Sequence, residues 1–118
     1  MRLFFIIKSF KYEKKIINII NEALLIYSNE WGVELMIDKS FIKDHDYYML
    51  FGYNSKEYLT TGEVSKSILG NYPLILDKRN LNVYEVIDLL NEEIVLDKMI
   101  ELSLVKKIWP PDGASLSE

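Results

Sequence analysis

His45 is the single histidine of the chain, set between two carboxylates in Lys43-Asp44-His45-Asp46. An imidazole beside acids has the makings of a proton shuttle or a metal ligand set. The spacing argues against both. Adjacent residues of a turn point in different directions, and a stable metal site draws on more ligands than one turn supplies. A histidine-dependent triad would have to use this one residue, and no serine lies in a recognisable nucleophile motif. Cysteine is absent, which removes disulfides, thiolate zinc sites, iron–sulfur clusters and cysteine nucleophiles. Thr61-Gly62-Glu63 and Leu69-Gly70-Asn71 carry one glycine each, which is helix punctuation rather than a phosphate cradle. The expectation is a protein with no catalytic residue, no metal and no cofactor. A pair of carboxylates meeting in a cleft is the remaining route to an enzyme.

The second chemical feature is a concentration of acid. Residues 82–101 hold Glu85, Asp88, Glu92, Glu93, Asp97 and Glu101 against Lys98 alone, whereas residues 1–81 hold 11 basic and 10 acidic side chains. On a helix, Glu85, Asp88 and Glu92 at i, i+3 and i+7 share one face, with Tyr84 and Asn91 at its flanks and Val83, Val86, Ile87 and Leu90 opposite. Such neighbours repel by a few tenths of a kcal/mol per pair, and Glu85 recovers part of that in the first helical turn. The bland reading is a solvated face that keeps a small protein soluble. The sharper one is a surface that steers a basic protein to fast association. The predicted partner-binding residues are therefore Tyr84, Glu85, Asp88, Asn91 and Glu92. An extensive basic face is lacking, which disfavours nucleic acid as a partner.

These residues need a scaffold, and 118 residues suffice for one domain. Apolar content of 49% and charged content of 27% are ordinary for a globular chain. Leu3–Ile7 is a short continuous apolar run, read as a buried strand rather than a signal peptide, because Lys8 and Lys11 interrupt it. No apolar run approaches the roughly 18 residues of a membrane helix, so no membrane role is expected. Ile16, Ile17, Ile20, Ala23, Leu24, Tyr27 and Trp31 recur at helical spacing and stop at Gly32. Val33, Leu35 and Ile37 alternate with polar residues as a half-exposed strand, and Tyr47–Tyr53 reads as a strand buried on both faces. Aromatics on both sides of that strand leave at least one tyrosine for the surface.

Thr60 and Glu63 form a capping box, with Leu59 and Val64 as its staple, for a helix ending at Gly70. Tyr72–Leu76 reads as a strand whose proline places it at an edge. Asn82, Glu85, Leu81 and Val86 repeat the capping pattern for the acidic helix. A second stripe, Val95, Met99, Leu102, Val105 and Trp109, runs to Pro110 and Pro111. The order predicts an α+β fold with a ferredoxin-like βαββαβ core over residues 1–109. Two C-terminal helices, or one long kinked helix, pack partly on the sheet, and residues 110–118 form a flexible tail. The main rival is another α+β topology with the same elements.

Tyr84, Glu85, Asp88 and Glu92 on a cysteine-free chain of this size resemble, in general character, small bacterial immunity proteins of contact-dependent and polymorphic toxin systems. The resemblance implies a cytoplasmic antitoxin that inhibits a basic toxin domain, often a nuclease, by protein–protein interaction. It would be a monomer or a weak dimer. The alternative is a small ligand-binding or regulatory module that dimerises through Val33–Asp38 or Tyr72–Leu76.

Overall fold

The computed structural model describes the backbone of residues 2–89 and 94–111, and the side chains of 14–89 and 94–111. It is an α+β fold in which one long helix precedes a five-stranded antiparallel sheet. Helix α1 spans Arg2–Trp31 and is followed by strands β1 (Leu35–Asp44) and β2 (Tyr48–Ser55). A short helix α2 (Lys56–Thr61) leads through an irregular segment to β3 (Leu74–Asp77) and β4 (Val83–Val86). Helix α3 (Leu96–Glu101) and strand β5 (Val105–Trp109) complete the order.

The strands lie side by side in chain order, each antiparallel to the next. This meander replaces the expected ferredoxin-like core, which needs a crossover between strands of the same direction. Five local expectations change with it. Leu3–Ile7 belongs to α1: with no glycine or proline between Met1 and Gly32, a short apolar run inside a long helix-permissive stretch stays helical. The helix placed at Thr60–Gly70 starts earlier. Ser55 caps it, its Oγ accepting from the Tyr58 amide at 3.0 Å. Gly62, at φ +78°, ends it, so Thr60 lies in the last turn.

Strand β3 is central, not an edge, because Pro73 stands just outside the hydrogen-bonded ladder. The acidic helix is instead β4. Asn82 serves a hairpin turn, its carbonyl accepting from the Asp77 amide at 2.9 Å, rather than capping a helix. Strands on both sides of Val83–Val86 then override the capping signal. The C-terminal stripe likewise divides into α3 and β5, with Ser103 at φ 57° in the turn between them.

The sheet has two apolar faces. On one, Ile16, Ile20, Leu24 and Tyr27 of α1 pack against Ile37, Phe51, Tyr53, Leu74, Leu76 and Val83. On the other, Leu96 and Met99 of α3 cover Tyr48, Leu50 and Ile75. The expectation that C-terminal helix covers the second face holds for α3. Residues 112–118 lie outside the described residues. Edge strand β1 carries an irregularity at 38–41, where four residues oppose Gly52 alone. A Cβ on Gly52 would come within 2.7 Å of the Phe41 Cβ, so the ring of Phe41 occupies the space that glycine leaves. Among the described residues no helix is long and apolar enough to cross a membrane.

Candidate partner-binding surface

Strand geometry divides the predicted acidic row. Tyr84 and Glu85 are consecutive on β4 and therefore point to opposite faces of the sheet. Tyr84 packs with the α3-side core. Glu85 turns toward α1, paired in register with Lys106 on β5. Asp88 is exposed in the bend after β4, and Asn91 and Glu92 lie outside the described residues. The helical face joining Glu85 to Asp88 is thus replaced by a strand that separates Glu85 from Tyr84.

Glu85 acquires different neighbours. The hydroxyl of Tyr27 donates a hydrogen bond to Glu85 Oε2. Trp31, four residues on from Tyr27, stacks on the Tyr27 ring with centroids 4.9 Å apart and 15° between planes. This i, i+4 relation is what a helix provides for stacking. Tyr27 also lies against Tyr53 of β2, at 6.3 Å and 16°. The three rings form a ladder from the buried Tyr53 to Trp31, which is 43% exposed. Gly32, at φ +69°, ends α1, its amide donating to the Ser28 carbonyl at 2.9 Å. The Ser28 Oγ then accepts from the Leu35 amide at 3.1 Å and fixes the entry into β1.

Burial raises the Tyr27 phenol well above its ordinary range, and the hydrogen bond and charge of Glu85, then Tyr53 and Glu30, push it in the same direction. Burial also raises Tyr53, opposed by its hydrogen bond with Asn71. Glu30 lies in the last turn of α1, where the macrodipole is already negative, and no basic residue accompanies it there. Glu34 pairs with Lys56 at 3.2 Å. The cation in register with Glu85 is Lys106, opposite it across the β4–β5 pair.

The segment between α2 and β3 flanks this ledge and is tied down by side chains. Asn54 donates to the Ile68 carbonyl at 3.2 Å and accepts from its amide at 2.7 Å. Ser55 Oγ donates to the Lys66 carbonyl at 2.6 Å, and Asn71 to the Tyr53 carbonyl at 2.9 Å. So anchored, the segment presents Val64 and Leu69 to solvent, 73% and 86% exposed. A groove of about 630 Å³ runs between it and the end of α1, lined by Val33, Glu34, Lys56, Glu57, Ser65 and Ser67 among others.

No family model matches the sequence, and no curated protein or solved structure matches it either.

At the opposite end of the sheet, the turn residues have a local role. Lys78 pairs with Asp44 and donates to the His45 carbonyl at 2.9 Å, while His45 stacks on Tyr48 at 4.7 Å. Asp77, 1% exposed, takes Arg79 Nε at 3.0 Å and Nη2 at 2.9 Å. The same guanidinium reaches Asp97 Oδ1 at 2.7 Å and lies 4.2 Å from the Tyr47 ring centroid. Its hydrogen bonds to Asp77 and Asp97 hold Arg79 more firmly protonated, and its hydrogen bond lowers Asp97. Among the described residues no three His, Asp or Glu side chains converge on a metal-sized site.

Tyr27 and Trp31 read in the sequence as part of an apolar stripe, which describes the buried Tyr27 but not the exposed Trp31. The signal that would have separated them is an aromatic pair at i, i+4 just before a helix-ending glycine, with a glutamate in the same turn. Glu85, which accepts from the Tyr27 hydroxyl, lies 58 residues away from it in the chain, and only the fold brings them together.

Proposed function

We propose that the protein is a non-catalytic inhibitor that binds a basic protein partner through the Trp31–Tyr27–Glu85 ledge, acting in the cytoplasm as an immunity protein against a toxin domain. The observation that carries this reading is a carboxylate held beside exposed aromatic surface. Glu85 accepts from the Tyr27 hydroxyl, and the Trp31 ring stacked on Tyr27 is 43% exposed. Aromatic side chains at such a place are frequent anchors of protein interfaces, and acids beside them select for positive partners and speed encounter. Val64 and Leu69, held out on the anchored segment, add apolar contact next to the charged part. Compared with the predicted site, Glu85 is retained, Tyr84 is on the other face, and Trp31 takes the anchoring role.

The dimeric alternative is less well supported. Tyr72–Leu76 leads into an interior strand, and the edge formed by β1 is bulged at 38–41 while β5 carries Lys106 and Lys107. Bulges and edge lysines are devices that discourage strand pairing between molecules.

The test is affinity capture of the tagged protein from its native cells, followed by co-expression with the partner recovered. A basic protein that binds one-to-one and whose toxicity is relieved is expected. The combination Glu30→Lys, Trp31→Ala and Glu85→Gln should weaken binding by about 100-fold or more, the scale of a lost hot spot. Undiminished affinity in that folded variant would remove this surface from the interface.

A further inference from the structure

We propose that the first half of α1 is an interfacial helix that seats the protein on a membrane surface rich in anionic lipid.

The inference starts from Leu3–Ile7 being helical and not a strand. Leu3, Phe4, Phe5, Ile6 and Ile7 are five consecutive apolar residues. On a strand they would fill both faces of a sheet. On a helix, at about 3.6 residues per turn, they go all the way round, and one packing face takes only some of them. The packing face of α1 is fixed by Ile16, Ile20, Ala23, Leu24 and Tyr27, which meet the sheet. Carried back along the helix, that face passes through Arg2, Phe5, Ser9, Tyr12 and Glu13. Leu3, Ile6, Ile7 and Phe10 form a separate stripe at i, i+3, i+4 and i+7, about a third of a turn away. The face that the sheet covers is therefore not the face that is apolar in the first half.

Charge identifies the partner. Residues 1–15 hold five basic side chains (Arg2, Lys8, Lys11, Lys14 and Lys15) and one acidic, Glu13, a net of +4. With -4 for the whole chain, the remainder carries -8. An anionic surface attracts the first half of α1 and repels the rest of the protein, so this helix is what meets it. Lys8, Lys11 and Lys15, at i, i+3 and i+7, share a face next to the Leu3–Phe10 stripe. Apolar and basic faces side by side are the pattern of a helix that lies in the headgroup region. A lipid boundary is anionic above and apolar below, and it needs no groove shaped to five consecutive apolar residues. Nor does lying along the surface need a run of spanning length, the feature whose lack argued against a membrane role.

The experiment is flotation of the full-length protein with vesicles of about one part phosphatidylserine to three of phosphatidylcholine, beside vesicles of phosphatidylcholine alone. Binding to the anionic vesicles is expected to be at least about tenfold stronger than to the neutral ones, and largely lost at about 0.5 M salt. Lys8→Gln combined with Lys11→Gln should weaken it about 30-fold, as two lysines near such a surface do. Ile7→Asp, off the sheet-packing face, should abolish binding and leave the urea midpoint in place. Equal binding to both vesicles, binding to neither, or indifference to the lysine pair would overturn the proposal. So would a concentration-dependent dimer broken by Ile7→Asp, since a second copy would then cover the Leu3–Phe10 stripe. Should Ile7→Asp fail to fold, the lysine pair, which removes no apolar side chain, decides alone.

Discussion

At the Arg79 end of the sheet and at the Trp31 end, carboxylates stand against aromatic rings, and the two places differ in how their charge is balanced. Asp77 and Asp97 share Arg79, and Asp44 has Lys78. Every acid in that group has a cation of the same chain, and the result holds the β1–β2 turn, the β3–β4 turn and α3 in one assembly. Glu85 has a tyrosine hydroxyl and Glu30 lies at the negative pole of α1. A hydroxyl satisfies hydrogen bonding without a buried ion pair, and the cation in register with Glu85 is Lys106 on the neighbouring strand. The lesson is that saturation, rather than the number of acids, separates a structural cluster from a surface prepared for another molecule. The acid-rich segment 82–101 contains both kinds: Asp97 belongs to the saturated end and Glu85 to the unsaturated one.

The largest effect on stability should come from breaking the saturated end. Asp77→Ala removes both bonds to the guanidinium and the acceptor of the Arg79 amide, which lies 2.9 Å from Asp77 Oδ1. A loss of about 2 kcal/mol is expected in urea unfolding, less than for a fully buried pair because the Arg79 side chain is 48% exposed and regains water. Partner binding at the Trp31 end should be unaffected in the folded fraction. If Asp77→Ala left the midpoint unchanged, the network would be ornamental, and saturation would cease to mark a structural role.

How much of this contrast was legible in the chain depends on the range of the signal. The end of α1 at Gly32, the β2 segment about Phe51 and the approximate position of β1 follow from short-range periodicity and punctuation, and they appear where expected. The acidic helix failed for a definite reason. Asn82 and Glu85 satisfy a capping pattern, but Val83 and Val86 are β-branched and Val83 fills a fully buried place between β3 and β5. Pairing on both sides outweighs a cap worth about 1 kcal/mol. The candidate surface was half legible. Glu85 stood out by charge, while its partners on α1 belong to a contact that no local pattern encodes.

A smaller effect separates the ends by pH. Tyr27 remains protonated in the folded protein beyond the pH at which an ordinary tyrosine, at 10.0, ionises. Since the folded value is raised, its contribution is complete below pH 10 and is lost progressively as pH climbs above that in the unfolded chain's favour. Stability measured by urea midpoint should therefore fall above about pH 10, and Tyr27→Phe should reduce that fall. At pH 7 the same substitution should lower stability by about 1 kcal/mol, the ordinary worth of one hydrogen bond. An alkaline profile identical in Tyr27→Phe and the parent would show that burial and Glu85 do not hold the phenol protonated as described.

The least disruptive change tests whether charge at the Trp31 end acts beyond its immediate contacts. Lys56 pairs with Glu34 at 3.2 Å, and both side chains are more than half exposed. Such a pair contributes little to folding, so Lys56→Ala should shift stability by no more than about 0.5 kcal/mol. Removing that cation leaves Glu34 as additional negative charge near Gly32 and the groove at the end of α1. A basic partner should then bind slightly more tightly, by less than about twofold in low salt, and the gain should vanish near 0.5 M salt as screening shortens the range. A tighter complex together with unchanged stability is the combination expected of a surface whose charge serves a partner. Weaker binding would mean that Lys56 positions the end of α1, and that this end is held together by its own ion pairs as the Arg79 end is.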